Sequence, residues 1–154
     1  VDATALQAQA DLEDVRRRRA ELRETMSHLE RALAAPALGR APAWGEGVHA
    51  ALAALVEDFR EHIVITEGPG GLHQAILAGD LRLANGVHAL ATEHGVIAAD
   101  VATAVAATEP PVTEDGVAQV RDVVTRLLDR LVRHRQRGAD LIYEAYAADL
   151  GGVD

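Results

Sequence analysis

A chain of 154 residues with a net charge of −9 is long enough to bury one core unaided, and it lacks the clustered positive charge that nucleic acid requires. It holds no cysteine, so disulfides, thiolate metal sites and thiol catalysis are excluded. Close to half the residues are apolar but only 3% are aromatic, the composition of a helix former rather than of a sheet.

The N-terminal VDATALQAQADLED has no apolar stretch of the signal-peptide kind, and no segment has the roughly 18 uninterrupted apolar residues of a membrane span. A soluble, cytoplasmic protein with no membrane partner is the expectation. The basic run Arg16 to Arg19 is flanked by Glu13, Asp14, Glu21 and Glu24, which makes it a solvated helix face.

Four long helical patterns follow one another. The first runs from Asp2, its N-cap, to Ala35, on a seam of Leu12, Val15, Leu22, Met26, Leu29 and Leu33 that Arg19 interrupts. Pro36, Gly39, Pro42 and Gly45 mark a loop. The second starts near Gly45, with Val48, Leu52, Leu55, Phe59 and His62 on one stripe. It is interrupted at EGPGG, Glu67 to Gly71, and a short piece continues from Leu72 to Ala78 before a turn at Gly79-Asp80. The third carries Leu83, Val87, Leu90, His94, Ile97 and Val101 and ends before Pro110-Pro111. The fourth, with Thr113 as N-cap, carries Val117, Val120, Val124, Leu127, Leu131, His134, Gly138, Leu141, Ala145 and Ala148, and Gly151-Gly152 ends it. With no strand run and no repeat, these amount to a single all-α domain over 1–154, an up-down-up-down four-helix bundle with its second helix kinked near Gly68-Pro69.

His62, His94 and His134 each occupy a core position on a different helix. Buried imidazoles need a hydrogen bond, a proton or a metal, and bundle cores are where inward-facing His and Glu build metal sites. With the first turn centred at Gly79, His62 lies 17 residues before it and His94 15 after, so their heights differ by about 3 Å. With the next turn at Pro110, His94 lies 16 residues before it and His134 24 after. That mismatch of roughly 12 Å would have to be closed by a longer third helix, a tilt or an irregular connection.

Two carboxylates are candidates beside them. Asp58 shares the face of His62 one turn earlier. Glu67, five residues after His62, points about 140° away on a regular helix. Pro69 disfavours helical geometry at Gly68, so a bulge or kink between Ile65 and Gly70 would turn Glu67 inward towards His62; otherwise it ends a helix in solvent. His28 and His49 fall beside the seams as surface residues. His73 and His88 neighbour the core stripe, as groups that support a site or as pH-sensitive surface residues. Glu93 points towards a flanking arginine, and Tyr143 and Glu144 are either distal donors or flank packing. GEG and GPGG lack the strand-to-helix context of a phosphate loop, and no catalytic residue is assigned.

REHIVITEGPGGL at Arg60 to Leu72, ATEHGVI at Ala91 to Ile97 and RHRQRGADLIYEAY at Arg133 to Tyr146 resemble the haemerythrin-like, His-His-Glu cation-binding family. The resemblance covers about Leu22 to Gly152. It implies a four-helix bundle holding non-haem iron, in dioxygen, peroxide or nitric-oxide binding, sensing or detoxification. Carried across, the metal ligands are His62, Glu67, His94 and His134, and the cofactor is one or two iron ions, with manganese or zinc as substitutes. The chain departs from the family pattern at Thr66, Leu90 or Ala98, and Gly138 or Ala139, where further ligands would stand. It therefore reads as a divergent member with one metal, an altered site, or none. Two other readings stand beside it: a metal-free helical interaction or scaffold module with hydrogen-bonded core histidines, and an enzyme taking a small organic substrate in the bundle cavity.

Overall fold

The computed structural model describes residues 2–150. Four long helices, α1 (Ala3–Ala34), α2 (Ala41–Glu67), α4 (Ala84–Ala107) and α5 (Val117–Leu150), and a short α3 (Leu72–Gly79) form an all-α four-helix bundle. No strand occurs among the described residues. No described helix is long and apolar enough to cross a membrane.

The helix ends follow local chemistry. Asp2 caps α1 by accepting from the Thr4 amide at 3.0 Å. The second helix starts at Ala41 rather than near Gly45, because Pro42 sits in its first turn, where no amide partner is needed. Glu114 accepts from the Ala41 amide at 3.2 Å and supplies the cap that Arg40 lacks. Thr113 makes no side-chain cap for the last helix; a 3-10 turn, Glu114–Gly116, leads into α5 instead. The terminator expected at Gly151-Gly152 lies outside the described residues.

Cross-helix contacts show how the pairs run. Leu33 meets Trp44, Thr25 meets Asp58 and Arg18 meets Glu61, so α1 and α2 lie antiparallel. Asp100 meets Arg130 and Glu93 meets Arg137, so α4 and α5 do the same.

The apolar interior falls into two clusters. The larger holds Leu22, Leu29, Leu52, Leu55, Phe59, Ile97, Val124, Leu127 and Leu131 among others; the smaller holds Ile76, Val87, Leu90 and Leu141. On α4, His94 lies between Leu90 of the smaller cluster and Ile97 of the larger. On α5, His134 lies between Leu131 and Leu141 in the same way. A layer of imidazoles thus divides the core.

The kink between α2 and α3 sits where the sequence places it. Gly68 leaves helical geometry with ψ 167°, as the residue before a proline favours. Gly70 has φ +71°, a left-handed conformation that costs other residues dearly. The chain returns to helix at Leu72.

Candidate metal centre

The Nε2 atoms of His62, His94 and His134 converge. They stand 3.2 Å apart for His62 and His94, 3.1 Å for His94 and His134, and 3.4 Å for His62 and His134. Nitrogen ligands about 2.0–2.1 Å from a tetrahedral ion are roughly 3.3–3.4 Å apart, so the spacing is that of three corners of a coordination tetrahedron. His94 and His134 are only 2% and 3% exposed, and His62 is half-buried. Phe59, one turn before His62, forms the floor: its ring stacks on His62 at 5.7 Å and meets His94 edge-on at 5.8 Å.

The level of His134 corrects the depth arithmetic. Residues from Thr108 to Gly116 form an irregular connection that belongs to neither long helix. His94 is 13 residues from the end of α4 and His134 is 17 from the start of α5, leaving about 6 Å for helix tilt and the 3-10 turn to absorb.

Glu67 is drawn inward, but to a different partner from the one expected. It is the last residue of α2, and its Oε2 lies 2.6 Å from Nδ1 of His94, on the far side of that ring from the converged nitrogens. Its carboxylate therefore orients His94 instead of joining the three nitrogens. Asp58 faces α1 and accepts from the Thr25 hydroxyl, away from the site. Thr66 is buried beside the site but folds back, donating to the His62 carbonyl at 2.8 Å.

Glu93, expected on the flank, stands behind His134. It holds Arg137, with Nε to Oε2 at 3.0 Å, and the same Oε2 stands 3.7 Å from Nδ1 of His134. That separation is an ion-pair distance, too long for a hydrogen bond, and His134 Nδ1 is otherwise buried without a partner. Two of the three imidazoles thus carry a carboxylate behind them, the arrangement that sets tautomer and basicity in histidine metal sites. The sequence pointed Glu93 towards a flanking arginine; the antiparallel packing of α4 and α5 makes that arginine Arg137, one turn past His134.

His73 is buried and stacks on His94 at 5.9 Å with planes 7° apart, while His88 and His28 are exposed. His49 is half-buried, its Nδ1 2.9 Å from the Thr108 hydroxyl. Tyr143 and Glu144 are exposed and take no part.

Burial dominates the electrostatics. It pushes His62 down to about 3, with His94 and His134 adding to the effect, and His134 down to about 4, with His94 lowering and Glu93 opposing. His73 is lowered by burial and by His94, against Glu67. Burial by itself would raise Glu93, but the hydrogen bond and charge of Arg137, joined by His134 in the acid range where that ring protonates, outweigh it and hold it low. At neutral pH His62 and His134 are therefore neutral rings with lone pairs to give.

Beside the three nitrogens lies a cavity of about 30 Å³, lined by Leu22, Ile65, Leu90 and Leu141 and by Arg18, Arg19 and Arg135. It has room for a water or a molecule of two or three atoms, far below the roughly 300–1,000 Å³ of organic-ligand pockets. Comparison of the chain with protein-family models, with curated proteins and with solved structures finds no match.

Proposed function

We propose that the protein holds a single divalent transition-metal ion on Nε2 of His62, His94 and His134, with an open position towards the small cavity for a ligand of a few atoms. The observation that carries this reading is the triangle of nitrogens 3.1–3.4 Å apart. A proton on Nδ1 of His94, donated to Glu67 at 2.6 Å, would leave Nε2 as the ligand atom. Burial keeps the other two rings from protonating. With no proton on any of the three Nε2 atoms, their lone pairs would face one another across 3.1–3.4 Å, and a cation between them would remove the repulsion.

Three imidazoles without thiolate suit iron(II), manganese(II) or zinc. The haemerythrin-like motifs favour iron, and the cavity size favours dioxygen, nitric oxide or peroxide over an organic substrate. Among the described residues the ligands converge for one ion only, which favours a mononuclear centre over an iron pair.

Protein purified without a histidine tag and reconstituted separately with iron(II), manganese(II) and zinc should retain about one equivalent of at least one of them. His94→Ala should abolish retention while helical circular dichroism survives. Metal content near zero with all three ions would reject the reading and leave a metal-free helical module.

A further inference from the structure

Three arginines line the cavity that the three histidines share; Arg18 is held by Glu21 and Glu61, whereas Arg19 and Arg135 meet no carboxylate among the described residues. Arg19 is the residue that breaks the apolar seam of α1. It is half-buried, its Nη2 donates to the Arg135 carbonyl at 3.1 Å, and that carbonyl is its one hydrogen-bond partner among the described residues. Its Nη1 lies over Gly138, one turn beyond His134, where a Cβ would stand only 3.4 Å away. Arg135 follows His134 directly, and its Nε is buried with no hydrogen-bond partner.

The nearby acids are already engaged. Glu61 and Glu21 hold Arg18, Glu93 holds Arg137 and Glu67 holds His94. Arg19 and Arg135 thus bring positive charge to a small cavity beside the convergent imidazoles, with no carboxylate partner of their own among the described residues. An added divalent cation would deepen that imbalance, and buried charge without a counterion is costly.

We infer that the open position of the centre takes a small anion, of two or three atoms, with Arg19 and Arg135 as its counter-charges. This rests on the mononuclear metal reading above. Such an anion would bridge the two unlike parts of the site, coordinating the ion at one end and accepting charge-assisted hydrogen bonds from the guanidinium groups at the other. The cavity volume of about 30 Å³ sets the upper size of the anion.

The test uses the whole chain loaded with cobalt(II), whose visible bands report coordination, titrated with azide. Azide should shift the bands of the unaltered protein. Arg19→Gln should weaken azide about tenfold or more, the loss expected for one charge-assisted hydrogen bond, while cobalt without azide should bind at least as tightly, because a neighbouring positive charge is gone. Arg135→Gln should act in the same direction, and Arg19→Lys should restore part of the affinity. Nitric oxide added to the iron(II)-loaded protein is the neutral control; Arg19→Gln should leave its binding within about threefold, since no charge is recognised. Cobalt bound at one equivalent with bands indifferent to azide would overturn the inference and leave the metal reading standing. Equal azide affinity in the unaltered protein and both glutamine variants would overturn it too, as would parallel losses for azide and nitric oxide, the mark of general damage. Failure of cobalt, iron and zinc alike to bind would remove both readings together.

Discussion

Glu67 illustrates how a residue outside a ligand set governs one inside it. Its carboxylate stands 2.6 Å from Nδ1 of His94, and a proton donated there turns Nε2 into an electron-pair donor towards the other two rings. Glu67→Gln preserves shape and an accepting oxygen but removes the charge that raises the basicity of the ring. Metal affinity should fall by about 10–100-fold, as for other groups behind histidine ligands. Competition with a chelator measures this, and an unchanged affinity would show that Glu67 has no such role. Glu93→Gln should act less strongly, because Glu93 stands 3.7 Å from His134 and shares its charge with Arg137. The two acids differed in legibility for a simple reason. Glu67 adjoins a visible break in the helical pattern, whereas Glu93 gains its meaning only from Arg137 on another helix.

At the scale of the element, the end of α2 is what makes Glu67 available. The helix stops there, Pro69 takes Gly68 out of helical geometry, and Gly70 adopts φ +71° so that α3 can begin two residues later. Gly70→Ala should cost about 1–2 kcal/mol for its left-handed backbone, lowering the midpoint of thermal unfolding by about 2–8 °C. Gly68→Ala places a Cβ 2.4 Å from the Val64 carbonyl oxygen, which the backbone must move to relieve. That shift lies next to Glu67, so Gly68→Ala should weaken metal retention along with stability, whereas Gly70→Ala should affect stability more than metal. Metal retention equal in the two variants would break the link between the helix end and the site.

For the whole molecule, the imidazole layer between two apolar clusters is a liability without an ion. In the unfolded chain histidine takes up a proton near 6.5, but folded His62 and His134 resist it down to about 3 and 4. Between those limits the unfolded state binds more protons, so the stability of the metal-free protein is full above about 6.5 and falls as pH drops towards 4. From pH 7 to pH 5 the metal-free unfolding midpoint should fall by about 5–10 °C, the effect of a few kcal/mol on a chain of this size. His62→Leu should flatten that dependence, and a bound ion should suppress it because ligated nitrogens cannot protonate. A midpoint constant from pH 7 to pH 5 in the metal-free protein would contradict the electrostatic account.

Periodicity and punctuation alone determined the helices, the break at Gly68-Pro69 and the three core histidines, because each is a local matter of helical angle and backbone chemistry. The sequence also placed His62 and His94 at one level, since the connection between them is almost all helix. It could not place His134, because the residues from Thr108 to Gly116 form an irregular link whose rise no periodicity encodes. Only the tertiary structure decided that Glu67 meets His94, that Glu93 backs His134, and that Arg19 lies against Gly138 beside the cavity. Each of these joins residues on different helices, and the packing of whole helices sets which side chains meet there.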